Sequence, residues 1–476
     1  MKILFAASEA APYIKTGGLG DVASALPKAL SVTPKTEVYV FLPYYKSIQE
    51  NQEFIMEPVA QFNVPLGWRN IPTNLLRAVS RKKKLQYYFI ENEYYFHRDG
   101  TYGYTDDGER FAFFSKAILE SLQYINWYPD VIHANDWQCA LIPVFLKAFY
   151  QGVEAYQPIR TLFTIHNMEY QGIANNDFVD NVLALPWDWR GTMEFDGCTN
   201  VMKAAILVAD RVSTVSRTYA QEIQDPYFAH GLHDILRSQN YKLSGVVNGI
   251  DTDVFNPATD PLIPVTFTAD EPEKKLENKR LLQKKLGLSC RDDVPMFIMV
   301  SRLAGHKGVD LVSAVMEDLM REDLQLVVIG TGEAQYENMF RHYAWYCSEK
   351  VSANIVFDNT LAHQAYAAAD MVLMPSKQEP CGLTQLIAMR YGTIPVVRET
   401  GGLYDTVPAF NPETNEGLGF TFQTYNAHDM LDAIRRGIAL YHDPERWDIL
   451  RRNAMANDCS WKHSVEDYWQ IYRSML

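Results

Sequence analysis

Apolar residues along this chain gather in short blocks, and most blocks are followed by a stretch whose apolar positions recur at helical spacing. Short apolar blocks bounded by turn residues read as buried strands, and strand–helix alternation is the signature of parallel sheets covered by helices. The pattern predicts strands at 2–7, 38–42, 130–134, 160–165 and 211–214 in the first half. In the second half it predicts them at 296–300, 325–329, 354–357, 371–374 and 394–397. Two more apolar runs, 75–79 and 85–90, flank Arg81-Lys82-Lys83-Lys84, which reads as a solvated hairpin turn. Residues 256–273 are rich in Pro, Thr and Asp with little periodicity, so a linker is expected near there. The division expected is 1–245, 246–456 and an aromatic, amphipathic segment 457–476 that could return to pack on the first domain.

Two loops, one on each side of that division, carry nearly the same residues. The first is Lys15-Thr16-Gly17-Gly18-Leu19-Gly20-Asp21-Val22 and the second Glu399-Thr400-Gly401-Gly402-Leu403-Tyr404-Asp405-Thr406. Each follows a strand-like block and opens a helical pattern. Paired glycines let a backbone approach a ligand closely, and a helix start offers unpaired N–H groups. The echo suggests two similar α/β lobes serving one ligand.

Composition narrows the classes. A chain of 476 residues exceeds one ordinary core. The formal charge of −14 argues against nucleic acid as the main partner. Six scattered cysteines with no Cys-x-x-Cys pair suggest neither a disulfide framework nor a zinc site, and fit a reducing, cytoplasmic setting. No apolar stretch approaches a membrane span.

Open parallel sheets bind ligands beyond the carboxyl ends of their strands, and the chemically suggestive residues fall there. After 296–300 come Arg302 and Lys307, flanked by Gly305 and Gly308, two cations suited to a departing diphosphate. After 371–374 comes Glu379-Pro380-Cys381-Gly382-Leu383-Thr384, in which a carboxylate precedes an expected helix start at Gly382. His166-Asn167 follows 160–165, and His133-Ala134-Asn135-Asp136-Trp137 repeats the theme with a carboxylate and an aromatic ring suited to sugars. Tyr94, Tyr95, Phe96 and His97, with Tyr102 and Tyr104, could extend an aromatic platform or simply pack in a core. Asp251-Thr252-Asp253 has the form of a metal-holding Asp-x-Asp, but it sits in turn-rich sequence and no metal is expected. Gly330-Thr331-Gly332 lacks the third glycine of a dinucleotide fingerprint, so no such cofactor is expected.

Together these motifs resemble those of bacterial glycogen synthases and plant starch synthases. They are the Lys15 loop, Thr164-Ile165-His166-Asn167, Asn248-Gly249-Ile250-Asp251, Ser301-Arg302-Leu303, the Glu379 loop through Gln385, and Thr400-Gly401-Gly402-Leu403, and they occur in that family's order. The resemblance implies two Rossmann-like domains facing a cleft, the GT-B fold, with acceptor on the first and nucleotide sugar on the second. It implies transfer of glucose from ADP-glucose to the non-reducing end of an α-1,4-glucan with retained configuration, and partners that include neither nucleic acid nor membrane. On that resemblance, Lys15, Gly17, Gly18 and Asp21 would form the donor site together with Asn248, Cys381, Gly382, Leu383 and Thr384. Arg302 and Lys307 would balance the leaving diphosphate, while His166 and Glu379 would contact the transferred sugar. Tyr95, Asp136 and Trp137 are candidates for the acceptor. Gln138 stands where many members have histidine, and Ile387 where related transferases have a second glutamate. From pattern alone, a dinucleotide oxidoreductase and a non-catalytic glucan-binding protein stay open.

Overall fold

The blocks read as strands supply two large sheets, one in each of two units of the computed structural model, which describes residues 1–80 and 83–476. Arg81 and Lys82 of the basic tetrad lie outside the described residues. The first unit is Met1–Asn248 with Trp461–Leu476, and the second is Gly249–Ser460.

In the first unit the strands are β1 (Lys2–Ala6), β2 (Glu37–Pro43), β3 (Met56–Leu66), β4 (Arg69–Ala78), β5 (Leu85–Glu91), β6 (Val131–Asn135) and β7 (Arg160–Ile165). After three short strands, β8 (Ile173–Ala174), β9 (Glu194–Phe195) and β10 (Cys198–Asn200), come β11 (Arg211–Thr214) and β12 (Leu243–Gly245). The main sheet runs β12-β11-β7-β6-β1-β2-β5-β4-β3, parallel as far as β5 and antiparallel beyond it. Parallel strands are covered on both faces, which is why β1 reads as an apolar block and every residue of β6, His133 and Asn135 included, is buried. Strand β3 carries Pro58 and Pro65 and lies at the sheet edge, the place a sheet accepts proline. Those prolines and its alternating exposure hid it from the block pattern.

The helix Lys462–Arg473 closes the first unit from the far end of the chain. Its Tyr472 hydroxyl bonds His133 Nδ1 at 2.8 Å, and Trp469 Nε1 donates to the Thr33 hydroxyl at 3.2 Å. His133, whose Nε2 meets the Thr164 hydroxyl at 2.6 Å, is therefore a buried structural imidazole rather than a ligand group.

In the second unit β13 (Met296–Val300), β14 (Gln325–Ile329), β15 (Val351–Asn354), β16 (Met371–Met374), β17 (Ile394–Arg398) and β18 (Phe420–Phe422) form an all-parallel sheet ordered β15-β14-β13-β16-β17-β18. That is the doubly wound order, with its reversal between β13 and β16. The first unit has the corresponding reversal between β1 and β6. Each reversal opens a crevice beyond the strand ends, and the fold itself therefore selects four loops.

Two expectations need correction. The strand predicted at 354–357 lies at Val351–Asn354, where Val351 is buried and pairs with Leu326, while Val356 and Phe357 are exposed. The expected linker at 256–273 is folded onto the second unit. Buried Asp260 accepts from the Tyr391 hydroxyl at 2.5 Å and pairs with His363 Nδ1 at 2.7 Å, and Asn278 brackets Val265 through both of its backbone polar groups.

Candidate active site

At the crevice of the second unit, the loops after β13 and β16 are stitched together. The Lys377 amide donates to the His306 carbonyl at 2.9 Å. Gly308, at φ +77°, lies so close to the second loop that an added Cβ would sit 2.1 Å from the Pro375 carbonyl oxygen. This contact brings Lys307 to Glu379. The ammonium donates to both carboxylate oxygens, at 2.9 and 2.8 Å, and the Ser376 hydroxyl adds a third bond at 2.9 Å. Glu379 is only 7% exposed, so these donors compensate a carboxylate removed from water. Arg302 stands on the same β13 loop with its side chain exposed, and its carbonyl caps the turn by accepting from Ala304 at 3.1 Å.

Cys381 is buried, while Gly382, Leu383 and Thr384 are half-buried. Gly382 occupies the left-handed region at φ +75°, and Gln385 Nε2 donates to the carbonyls of both Cys381 and Gly382 at 3.0 Å. The helix begins at Thr384, two residues later than expected, because Gly382 still belongs to the turn. Gly401 and Gly402 pack against this same loop. The Gly402 amide donates to the Glu379 carbonyl at 3.1 Å, and a Cβ at either glycine would lie 2.1 or 2.2 Å from the carbonyl oxygen of Glu379 or Cys381. Their lack of side chains serves packing within the protein.

The crevice of the first unit gathers Lys15, Gly17, Gly18, Asp21, Asp136 and His166 beyond β1, β6 and β7. Lys15 pairs with Asp21 at 2.8 Å, its stem crossing Gly20, where an added Cβ would meet Lys15 Cβ at 3.1 Å. Buried Glu9 accepts from the Thr16 amide, the Thr16 hydroxyl and the Gly17 amide at 2.5, 2.9 and 3.2 Å. Asp136, held at φ +56°, accepts from the amides of His166 at 2.7 Å and Asn167 at 3.4 Å. His166 Nε2 lies 2.9 Å from Asn135 Oδ1, which fixes the imidazole as donor at that nitrogen. Burial pushes the Asp136 carboxyl up to about 7 and the His166 imidazole down to about 3. The imidazole is therefore a neutral hydrogen-bonding group. Asn248 is 6% exposed, and its Oδ1 has no partner among the described residues.

The acceptor candidates divide. Tyr95 is 2% exposed and its hydroxyl donates to Glu109 at 2.5 Å, so its ring belongs to the core, whereas neighbouring Tyr94 is 71% exposed. Both border a cavity of about 410 Å³ with Arg69, Asn70, Asp106 and Glu109. Trp137 is half-buried, edge-on to Phe111 at 5.2 Å and beneath Gly172. Glu9 and Ser376 were not singled out from the sequence. Glu9 reads there only as the end of an apolar run, although its place just beyond β1 is the same signal that marks the others.

Comparison with known proteins follows the same division. Residues 2–238 match the family model described as starch synthase catalytic domain, and residues 284–454 match glycosyl transferases group 1. The glycogen synthases of Clostridium acetobutylicum and Desulforamulus reducens are 49% and 47% identical, each across 100% of this chain and 100% and 99% of their own. The catalytic domain of starch synthase IV from Arabidopsis thaliana, solved with ADP and acarbose bound, superposes with a TM-score of 0.92 at 33% identity, covering 100% of this chain and 99% of that one. A sucrose-phosphate synthase from Thermosynechococcus elongatus, at TM-score 0.63 and 18% identity over 100% and 98%, shares the fold.

Proposed function

This chain belongs to the glycogen and starch synthase family of glycosyltransferases with the GT-B fold, and we propose that it transfers glucose from ADP-glucose to the non-reducing end of an α-1,4-glucan, releasing ADP with retained configuration. The observation that carries this reading is the Lys307–Glu379 pair at the crevice of the second unit, with Arg302 on the same loop. As a set these three groups carry one net positive charge, the sign a leaving diphosphate requires.

In the proposed reaction the bond between the anomeric carbon and the β-phosphate oxygen breaks, and the glucan 4-hydroxyl oxygen bonds that carbon on the same face. The hydroxyl proton passes to the departing phosphate oxygen. Arg302 and Lys307 balance the charge of the diphosphate as it leaves. Glu379 accepts from a sugar hydroxyl, and the backbone of Cys381, Gly382 and Leu383 with Thr384 supports the sugar and phosphate. On the first unit Lys15, the Gly17-Gly18 backbone and Asp21 meet the donor, and the neutral His166 hydrogen-bonds the transferred sugar. Asn248, with its unpartnered buried oxygen, is suited to a sugar hydroxyl. The first unit takes the glucan acceptor and the second the nucleotide sugar. We assign the reaction to the cytoplasm, where six cysteines outside any disulfide persist as thiols, and we expect no cofactor, metal, nucleic-acid or membrane partner.

The test is nucleoside diphosphate release from ADP-glucose and from UDP-glucose, with and without glycogen and with and without a chelator. Glycogen-dependent ADP release that survives chelation is expected. Glycogen binding with no release from either donor would overturn the reading in favour of a non-catalytic glucan-binding protein.

A further inference from the structure

Glu9 lies just beyond β1 and is 4% exposed. A carboxylate so placed is costly unless donors surround it, and here every donor comes from one loop. The amides of Thr16 and Gly17 and the Thr16 hydroxyl all converge on Oε2. Burial pushes this carboxyl above the ordinary glutamate range while the same three donors pull it back. Two backbone N–H groups at the paired-glycine loop are thus already used by a side chain of the protein itself.

Lys15 immediately precedes that anchored pair and is held in two further places. Its stem rests on Gly20 and its ammonium on Asp21. Gly17 itself is extended, at φ −157°, and an added Cβ would meet nothing closer than Glu9 Oε1 at 3.8 Å. Neither backbone strain nor packing demands glycine at 17, so the loop keeps an open face beside the carboxylate that anchors it.

We propose that Glu9 is a positioning residue for the transfer reaction, its carboxylate fixing the 15–18 loop so that Lys15 is presented to the donor in one geometry. The proposal rests on the reading above that Lys15 meets the donor. Glu9 acts through the loop and does not itself touch the reacting atoms.

The test combines kinetics and amide exchange on the full chain and its Glu9→Ala, Glu9→Gln, Lys15→Ala and Glu9→Ala/Lys15→Ala variants. Glu9→Ala should lower kcat/KM for ADP-glucose about a hundredfold, the scale of a misplaced group. Glu9→Gln keeps an acceptor oxygen and loses the charge, so its loss should be about tenfold or less. The double variant should be no worse than Lys15→Ala within about twofold, because once Lys15 is gone its anchor has nothing left to position. Deuterium exchange in the peptide carrying the Thr16 and Gly17 amides should accelerate at least about tenfold in Glu9→Ala while the rest of the first unit keeps its protection. Losses that simply multiply in the double variant, unchanged exchange at Thr16 and Gly17, or loss of protection throughout the unit would each overturn the proposal. If Glu9→Ala does not fold, Glu9→Gln in the same cycle decides it by the same criteria. Absence of diphosphate release by the unsubstituted chain would instead sink the functional reading, and the exchange comparison would still test the anchoring alone.

Discussion

In Lys15-Thr16-Gly17-Gly18 the loop amides turn inward to Glu9, and a methyl group at Gly17 would meet its nearest neighbour at 3.8 Å. In Glu399-Thr400-Gly401-Gly402 the Gly402 amide turns to the Glu379 carbonyl, and a methyl group at either glycine would overlap a backbone oxygen at 2.1 or 2.2 Å. The residue that follows the shared leucine also differs. It is Gly20 in the first loop, leaving room for the Lys15 stem, and Tyr404, 58% exposed, in the second. One glycine pair is required by contacts inside the protein, while at Gly17 the other keeps open space. Similar sequence at similar places in two similar sheets therefore records different physical demands.

The comparison breaks most sharply at the charge the second loop supports. Lys307→Ala should lower kcat by about 10²–10³, the usual cost of one charge-stabilising donor, with little change in the glucan KM. A raised glucan KM at unchanged kcat would show that the lysine binds acceptor instead. Next comes Gly402→Ala, which forces a methyl onto the Cys381 carbonyl. Overpacking of this kind costs about 1–3 kcal/mol and should lower the Tm as well as activity by displacing the Glu379 loop. Gly17→Ala should leave the Tm unchanged and raise the ADP-glucose KM about tenfold, as a lost close approach would. Equal thermal effects at Gly17 and Gly402 would erase the distinction drawn between the loops.

A different kind of effect is a pH dependence in the first unit. Because burial raises the Asp136 carboxyl to about 7, the folded chain holds that proton when the unfolded chain has released it. The contribution is present below the ordinary aspartate range of about 4 and is lost as pH rises toward 7. The Tm of the unsubstituted chain should therefore fall, relative to Asp136→Asn, between about pH 4 and 7. Equal slopes for the two proteins would show that Asp136 is ionised throughout. His166, lowered to about 3, works in the opposite sense: below about 6.5 the unfolded imidazole takes up a proton that the folded one refuses, so its contribution is lost as pH falls toward 3, and equally in both proteins.

Strands buried on both faces were legible as short runs of apolar and small hydroxyl side chains between helical stretches, and β7, β11, β13, β14 and β16 fall at their predicted bounds. Strand β15 was misplaced because Val356 and Phe357 spend their apolar surface on an exposed turn, and the fold of 256–273 was hidden because it is held by side chains such as Asp260. Arg302, Lys307, His166 and Glu379 could be picked out because they follow strands. The pairing of Lys307 with Glu379 could not, since it depends on Gly308 meeting Pro375, a contact between distant segments. Which of Tyr94 and Tyr95 faces solvent was equally unreadable, because both sit in a four-residue helix, Glu93–Phe96.

The return of Trp461–Leu476 to the first unit has a bearing on how the chain is made. A ribosome extrudes all of Gly249–Ser460 before Tyr472 emerges, so the nascent first unit must wait through the synthesis of its neighbour with the His133 imidazole still lacking that phenol. The second unit is complete in sequence once Ser460 is added, while the first still lacks its closing helix Lys462–Arg473. A chain truncated after Ser460 should therefore keep a folded second unit beside a first unit that proteases open more readily than in the full chain.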